Sequence, residues 1–98
     1  MITLNALQRR YLRSQAHHLH PMVMIGDAGL TDAVMREVDV GLKSHELIKV
    51  RVFGDDRDNR IAILGKICAE LSAAPVQHIG KLLLIYRPAA KPKISLPK

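Results

Sequence analysis

The chain has 98 residues, 48% of them apolar, a net charge of +6 and one cysteine. This is enough for one domain with one core and too little for two. No apolar run reaches the roughly 18 residues that cross a membrane, and Asn5, Gln8, Arg9 and Arg10 stand where a secretory leader is apolar. Cys68, alone, makes neither an internal disulfide nor a zinc knuckle, so a cytosolic protein with a packed thiol is expected.

In chain order, Leu4, Leu7, Tyr11 and Leu12 fall on one side of a first helix, with Thr3 as its expected cap and Arg9, Arg10 and Arg13 on the other side. That helix is expected to stop near His17-His18, because Pro21 disfavours helix at and before it. Met22 to Ile25 reads as a short buried strand. Leu30, Val34, Val38 and Leu42 then recur every four residues, giving a helix over 31–43 that Gly41 slightly weakens.

Alternation takes over from Glu46 to Phe53, with Ile48, Val50 and Val52 on one face and Lys49 and Arg51 on the other. A polar turn over 54–58 leads to a third helix, whose expected stripe is Ile61, Leu64, Cys68 and Leu71 and which ends before Pro75. Val76 to Ile79 and Leu82 to Tyr86 flank Gly80-Lys81, a two-residue hairpin with Gly first. Leu82-Leu83-Leu84-Ile85 does not alternate, so a central strand covered on both faces is expected. The order αβαβαββ, with helical crossovers and a final hairpin, predicts an α/β sandwich with a four-stranded mixed sheet. Residues 1–88 form the expected domain, and 89–98 a basic tail in which Pro92 and Pro97 prevent regular structure.

The candidate functional element is the turn Gly26-Asp27-Ala28-Gly29, between the first strand and a helix started by Thr31. Paired glycines permit positive φ and close approach of a ligand, and the unpaired N–H groups of a helix start favour an anion such as phosphate. The same quartet also occurs as a plain strand-to-helix turn. Charge placement adds to the signal. Residues 1–26 hold three arginines and no acid, residues 71–98 hold five bases and no acid, and all nine acids fall between 27 and 70 beside seven bases. If the two ends of the chain meet, they make a surface suited to a polyanion.

Several stretches together resemble the CRM domain, named for chloroplast RNA splicing and ribosome maturation. They are Leu12-Arg13, Ala16-His17 with Leu19 and Pro21, Ile25 to Thr31, Glu46 to Val50, and Ile79-Gly80 with Leu84 to Arg87. The closing Lys93 to Pro97 is similar to the ending of the stand-alone bacterial YhbY-type members. The resemblance implies a fold like the C-terminal domain of translation initiation factor three. It also implies RNA binding through the Gly26 to Gly29 turn and association with precursors of the large ribosomal subunit. Many relatives carry a basic residue inside the turn or just before the proline, where this chain has Asp27 and His20.

Only Tyr11, Phe53 and Tyr86 are aromatic, so stacking is not expected to be the main mode of RNA contact. Backbone and shape contacts are expected instead, from Arg9, Arg10, Arg13, the turn, Lys49, Arg51 and Arg87. Lys49 and Arg51 read equally as the solvated face of an edge strand. His17, His18 and His20 lie close together, but His17 and His18 leave adjacent helix positions in different directions, and Asp55, Asp56 and Asp58 are interleaved with arginines, so neither group reads as a metal site. The Gly26 to Thr31 segment lacks the lysine of a P-loop and the third glycine of a Rossmann fingerprint. No cofactor, small-molecule substrate or catalytic group is expected. The alternative is an interaction module that docks on a ribosomal protein.

Overall fold

Asn5, rather than the expected Thr3, caps the first helix. Its side chain accepts the Gln8 N–H at 2.7 Å and the Gln8 side chain accepts the Asn5 N–H at 3.1 Å, a reciprocal capping box that satisfies two donors at once. The computed structural model describes residues 3–98 and contains α1 (Ala6–Ala16), β1 (Val23–Ile25), α2 (Asp32–His45), β2 (Leu47–Val52), α3 (Arg57–Leu71), β3 (Ala74–Ile79) and β4 (Leu82–Tyr86). The order and the mixed sheet are those the sequence patterns predict. Residues 87–98 contain no helix or strand.

The sheet runs β1-β2-β4-β3, with β1 parallel to β2 and β4 antiparallel to both its neighbours. The α3 crossover leaves a gap between β2 and β3, and the hairpin returns β4 into it. Gly80 begins that turn at φ 55. The central position explains the unbroken apolar run of β4. Leu83 and Ile85 join the cluster beneath α2 and α3, while Leu84 and Tyr86 join the cluster beneath α1. Pro75 lies in β3 next to a register irregularity, which an edge strand tolerates because no partner needs its missing N–H.

Three layers result, with α1 on one face of the sheet and α2 with α3 on the other. Val23, Ile25, Ile48, Val50 and Val52 pack with Val38 and Leu42 of α2 and with Ile63, Ile67 and Cys68 of α3. Leu47, Ala74, Val76, Leu84 and Tyr86 pack with Leu4, Leu12 and Ala16. Leu7 stays exposed, because it lies five residues before Leu12 and so points well away from the Leu12–Ala16 line.

The stripe of α3 also differs from expectation. Ile61 is exposed, and Arg60, Ile63, Ile67 and Cys68 are buried, with Leu64 and Leu71 partly covered. An arginine in the line 60-63-67 argues against it as a core face. Here Arg60 is accommodated because its Nε donates to His78 Nε2 at 3.1 Å and its Nη1 to the Gly54 carbonyl at 3.2 Å. Gly41 marks the close approach of α2 to the sheet, since a Cβ there would lie 2.9 Å from Met22 Sδ and 3.6 Å from Ile48 Cγ2.

Candidate nucleic-acid interface

The Gly26 to Gly29 turn closes with a hydrogen bond from the Gly29 N–H to the Gly26 carbonyl at 3.0 Å, and Thr31 N–H reaches the Gly29 carbonyl at 3.1 Å. Only Gly29 adopts the left-handed conformation, at φ 74. A Cβ placed on Gly26 would meet no atom within 4 Å, and Gly26, Asp27 and Ala28 are all exposed. Thr31 caps α2 as expected, its hydroxyl accepting the Val34 N–H at 3.1 Å. Asp32 in the first turn and Asp27 in the loop add negative charge that already complements the helix start. The tip therefore offers backbone N–H groups and open space, with two carboxylates that disfavour a bare phosphate.

Lys49 and Arg51 lie on the α1 side of the sheet, on β2 next to β1. Arg51 is paired in register with Met24, and the Phe53 N–H donates to the Ile25 carbonyl at 2.9 Å, so this end of β2 abuts the start of the turn. Lys49 Nζ donates to the Leu19 carbonyl at 2.9 Å and ties the α1–β1 connection to the sheet. The guanidinium of Arg51 sits 5.1 Å from the centroid of the Phe53 ring. Of the three aromatic side chains, Tyr86 is buried, Tyr11 is half-buried and Phe53 is exposed.

On α1, Arg9, Arg10 and Arg13 are exposed. Arg9 Nη1 donates to the Leu4 carbonyl at 2.8 Å, and none of the three has a carboxylate partner among the described residues. Arg87 is different and leaves the expected contact set. Its Nη1 donates to Asp39 Oδ1 at 2.9 Å and to the Leu71 carbonyl at 3.0 Å, and its Nη2 to the Asp39 carbonyl at 3.2 Å. It clamps α2 to the end of α3. The bond from Arg87 holds the Asp39 carboxyl below its ordinary pKa against partial burial, with Lys43 at 3.3 Å assisting. An arginine followed by a proline at a strand end carries no sequence signal that separates a clamp from a ligand contact.

Glu46 has a role that periodicity missed. It stands buried at φ 65 between α2 and β2, and its carboxylate accepts N–H groups of Ala89 at 2.9 Å, Lys93 at 2.7 Å and Ile94 at 3.1 Å. Burial raises its pKa, and the three N–H groups with the Lys93 charge outweigh that and leave it below its ordinary value. The segment so anchored packs Ile94 and Leu96 against the α1 cluster, and Gln8 Nε2 donates to the Pro97 carbonyl at 3.1 Å. The two ends of the chain thus meet on one side of the sheet. That layer carries Arg9, Arg10, Arg13, Lys91, Lys93 and Lys98, whereas Asp32, Glu37, Asp39, Asp58 and Glu70 belong to α2 and α3 on the opposite layer.

Among the described residues no three His, Cys, Asp or Glu side chains are grouped to hold a metal ion, and no helix is long and apolar enough to cross a membrane. Burial of Cys68 pushes its thiol pKa up to about 11, which keeps it protonated and a poor nucleophile at neutral pH.

Residues 4–87 match the CRS1 / YhbY (CRM) domain. An RNA-binding protein of Haemophilus influenzae is 47% identical over 98 residues, covering all of this chain and 99% of the relative. A probable RNA-binding protein of Pseudomonas aeruginosa is 40% identical over 89 residues, covering 91% of this chain and 86% of that one. The solution structure of a hypothetical Staphylococcus aureus protein, described as a candidate RNA binder, superposes with a TM-score of 0.84 at 33% identity. It covers 97% of this chain and 100% of its own.

Proposed function

We propose that this chain, which belongs to the CRS1 / YhbY (CRM) domain family, is a non-catalytic RNA-binding protein that acts on ribosomal RNA in precursors of the large (50S) ribosomal subunit. The observation that carries RNA as the ligand is the segregation of charge. One layer, made of α1 and the C-terminal segment, bears six bases, and its nearest acid, Glu46, is buried and satisfied by backbone N–H groups. Such a layer attracts a polyanion and releases its counterions on contact. Close relatives that bear RNA-binding names support the same ligand. The large-subunit target rests on the resemblance to the bacterial stand-alone members.

RNA in this reading lies across the outer side of α1 and reaches the Gly26 to Gly29 turn past Lys49 and Arg51. Arginines and lysines supply phosphate contacts, and the turn supplies backbone N–H groups where Gly26 leaves room for close approach. The test is ultraviolet crosslinking in cells followed by sequencing of the attached RNA, comparing the natural chain with a folded Gly29→Asp variant. Aspartate tolerates the left-handed conformation better than most residues and brings a second negative charge to the turn. A compact footprint on large-subunit ribosomal RNA, weakened in the variant, is the expected result. Ribosome association that resists ribonuclease and leaves no footprint would point to docking on a ribosomal protein instead.

A further inference from the structure

Met24, Arg51, Leu82 and Ile79 form one row across all four strands, paired in succession as Met24 with Arg51, Arg51 with Leu82, and Leu82 with Ile79. The row lies on the α1 side, because its neighbours Val23, Ile25, Val50, Val52 and Leu83 pack beneath α2 and α3. Helix α1 covers the other end of that face, over Leu47, Ala74, Val76, Leu84 and Tyr86. It leaves the row open, with Met24 58% and Ile79 47% exposed. Phe53 continues the same side one pleat beyond Arg51 and is 46% exposed, with the Arg51 guanidinium over its ring.

This strip joins two properties that an ordinary solvated sheet face lacks together. Its apolar side chains Met24, Ile79 and Phe53 stand open to solvent and gain by being covered. It is also flanked by cations that have no carboxylate partner among the described residues, Arg51 within the row and Lys49 one pleat behind it. Of the acids that follow Phe53 in the chain, Asp55 is paired with Lys81 at 3.5 Å and Asp56 caps α3 by accepting the Asn59 N–H. A planar, uncharged ring attached to a phosphodiester matches that combination. Bases in a duplex are already stacked and cannot reach a flat sheet face, so the matching ligand is an unpaired nucleotide.

We propose that the strip of Met24, Arg51, Phe53, Ile79 and Leu82 is a platform on which one unpaired base of the bound RNA stacks, beside the Gly26 to Gly29 turn. This rests on the RNA-binding reading and deepens it. Phe53 and the Arg51 guanidinium supply the stacking faces, Met24 and Ile79 supply apolar edges, and Lys49 meets the phosphate that follows. It adds a preference for unpaired nucleotides to a protein whose other contacts recognise backbone and shape.

The chain contains no tryptophan, so Phe53→Trp creates a single fluorescent reporter at the platform. The probes are a hairpin RNA with an unpaired loop and a blunt duplex of the same stem. Loop RNA is expected to quench the tryptophan while duplex RNA leaves it unchanged. Phe53→Ala is expected to weaken binding of the loop RNA about tenfold, with its salt dependence and its duplex affinity intact. Both substitutions are at an exposed position, and thermal melting checks that they fold. Binding of both RNAs by the natural chain, with no quenching and no loss in Phe53→Ala, would overturn the platform and leave the RNA reading standing. Failure of the natural chain to bind either RNA at low salt would overturn both.

Discussion

Gly26 and Gly29 bracket one turn for different physical reasons, and substitution by alanine separates them. Gly29 has φ 74, so a Cβ there strains the backbone by about 1–2 kcal/mol, and Gly29→Ala is expected to lower the melting temperature. Gly26 has neither a left-handed φ nor a neighbour that a Cβ would meet. Gly26→Ala is therefore expected to match or slightly exceed the natural chain in stability, since it restricts only the unfolded state. Its RNA affinity, measured by filter binding, should nevertheless fall if a nucleotide approaches the backbone there. Equal affinity would assign Gly26 no contact. Arg87 behaves in the opposite way: Arg87→Ala removes hydrogen bonds to Asp39 and to the Leu71 carbonyl and should cost about 2 kcal/mol in denaturant unfolding, with RNA salt dependence unchanged. At this scale the sequence was a partial guide. Residue type and strand position pointed to Arg51 and Arg87 alike, and only the three-dimensional partner of each guanidinium distinguishes an open side chain from a clamp.

The C-terminal segment is the element whose structure depends most on one distant group. Residues 87–98 have no ladder or helix of their own, and Glu46 supplies a charged acceptor for three of their N–H groups. A carboxylate whose folded pKa is depressed stabilises the fold above its unfolded pKa, near 4.3 for glutamate, and that contribution is lost as pH falls through the folded value. Asp39 acts with the same sign. Glu46→Gln removes the charge and turns part of the acceptor into a donor facing N–H groups, so a loss of about 2–3 kcal/mol is expected at pH 7. The gap between the variant and the natural chain should narrow as pH is lowered below 4, read by thermal unfolding across pH. A gap that stays constant would show that shape, and not charge, anchors the segment. The seven regular elements were legible because each is written locally, as a 3.6-residue or two-residue apolar period or, in β1 and β4, as a short unbroken apolar run, bounded by Gly, Pro or a cap. The anchoring of the segment was not, because it joins positions more than forty residues apart and uses a backbone conformation at Glu46 that no local pattern announces. The α3 stripe slipped for a related reason, since the partners that make Arg60 acceptable in the interior come from His78 and Gly54.

For the whole molecule, the useful quantity is where charge sits relative to the sheet, because net charge and located charge make different predictions. The natural chain carries +6. Replacing Arg10 and Arg13 by alanine removes two positive charges from the α1 layer, whereas replacing Glu37 and Glu70 by glutamine removes two negative charges from the α2 and α3 layer. If RNA lies on the α1 layer, the arginine pair should flatten the slope of log affinity against log salt by about 1.5–2 units, each lost phosphate contact releasing fewer counterions. The glutamine pair should leave that slope unchanged and raise affinity only slightly, through a long-range field that physiological salt screens within about 8 Å. Among the described residues none of these four side chains takes part in an ion pair, so the comparison is not confounded by a broken bridge. A slope that moved by equal amounts in opposite directions in the two variants would mean that RNA senses the protein as a uniform polycation, and the layered arrangement would then have no part in recognition.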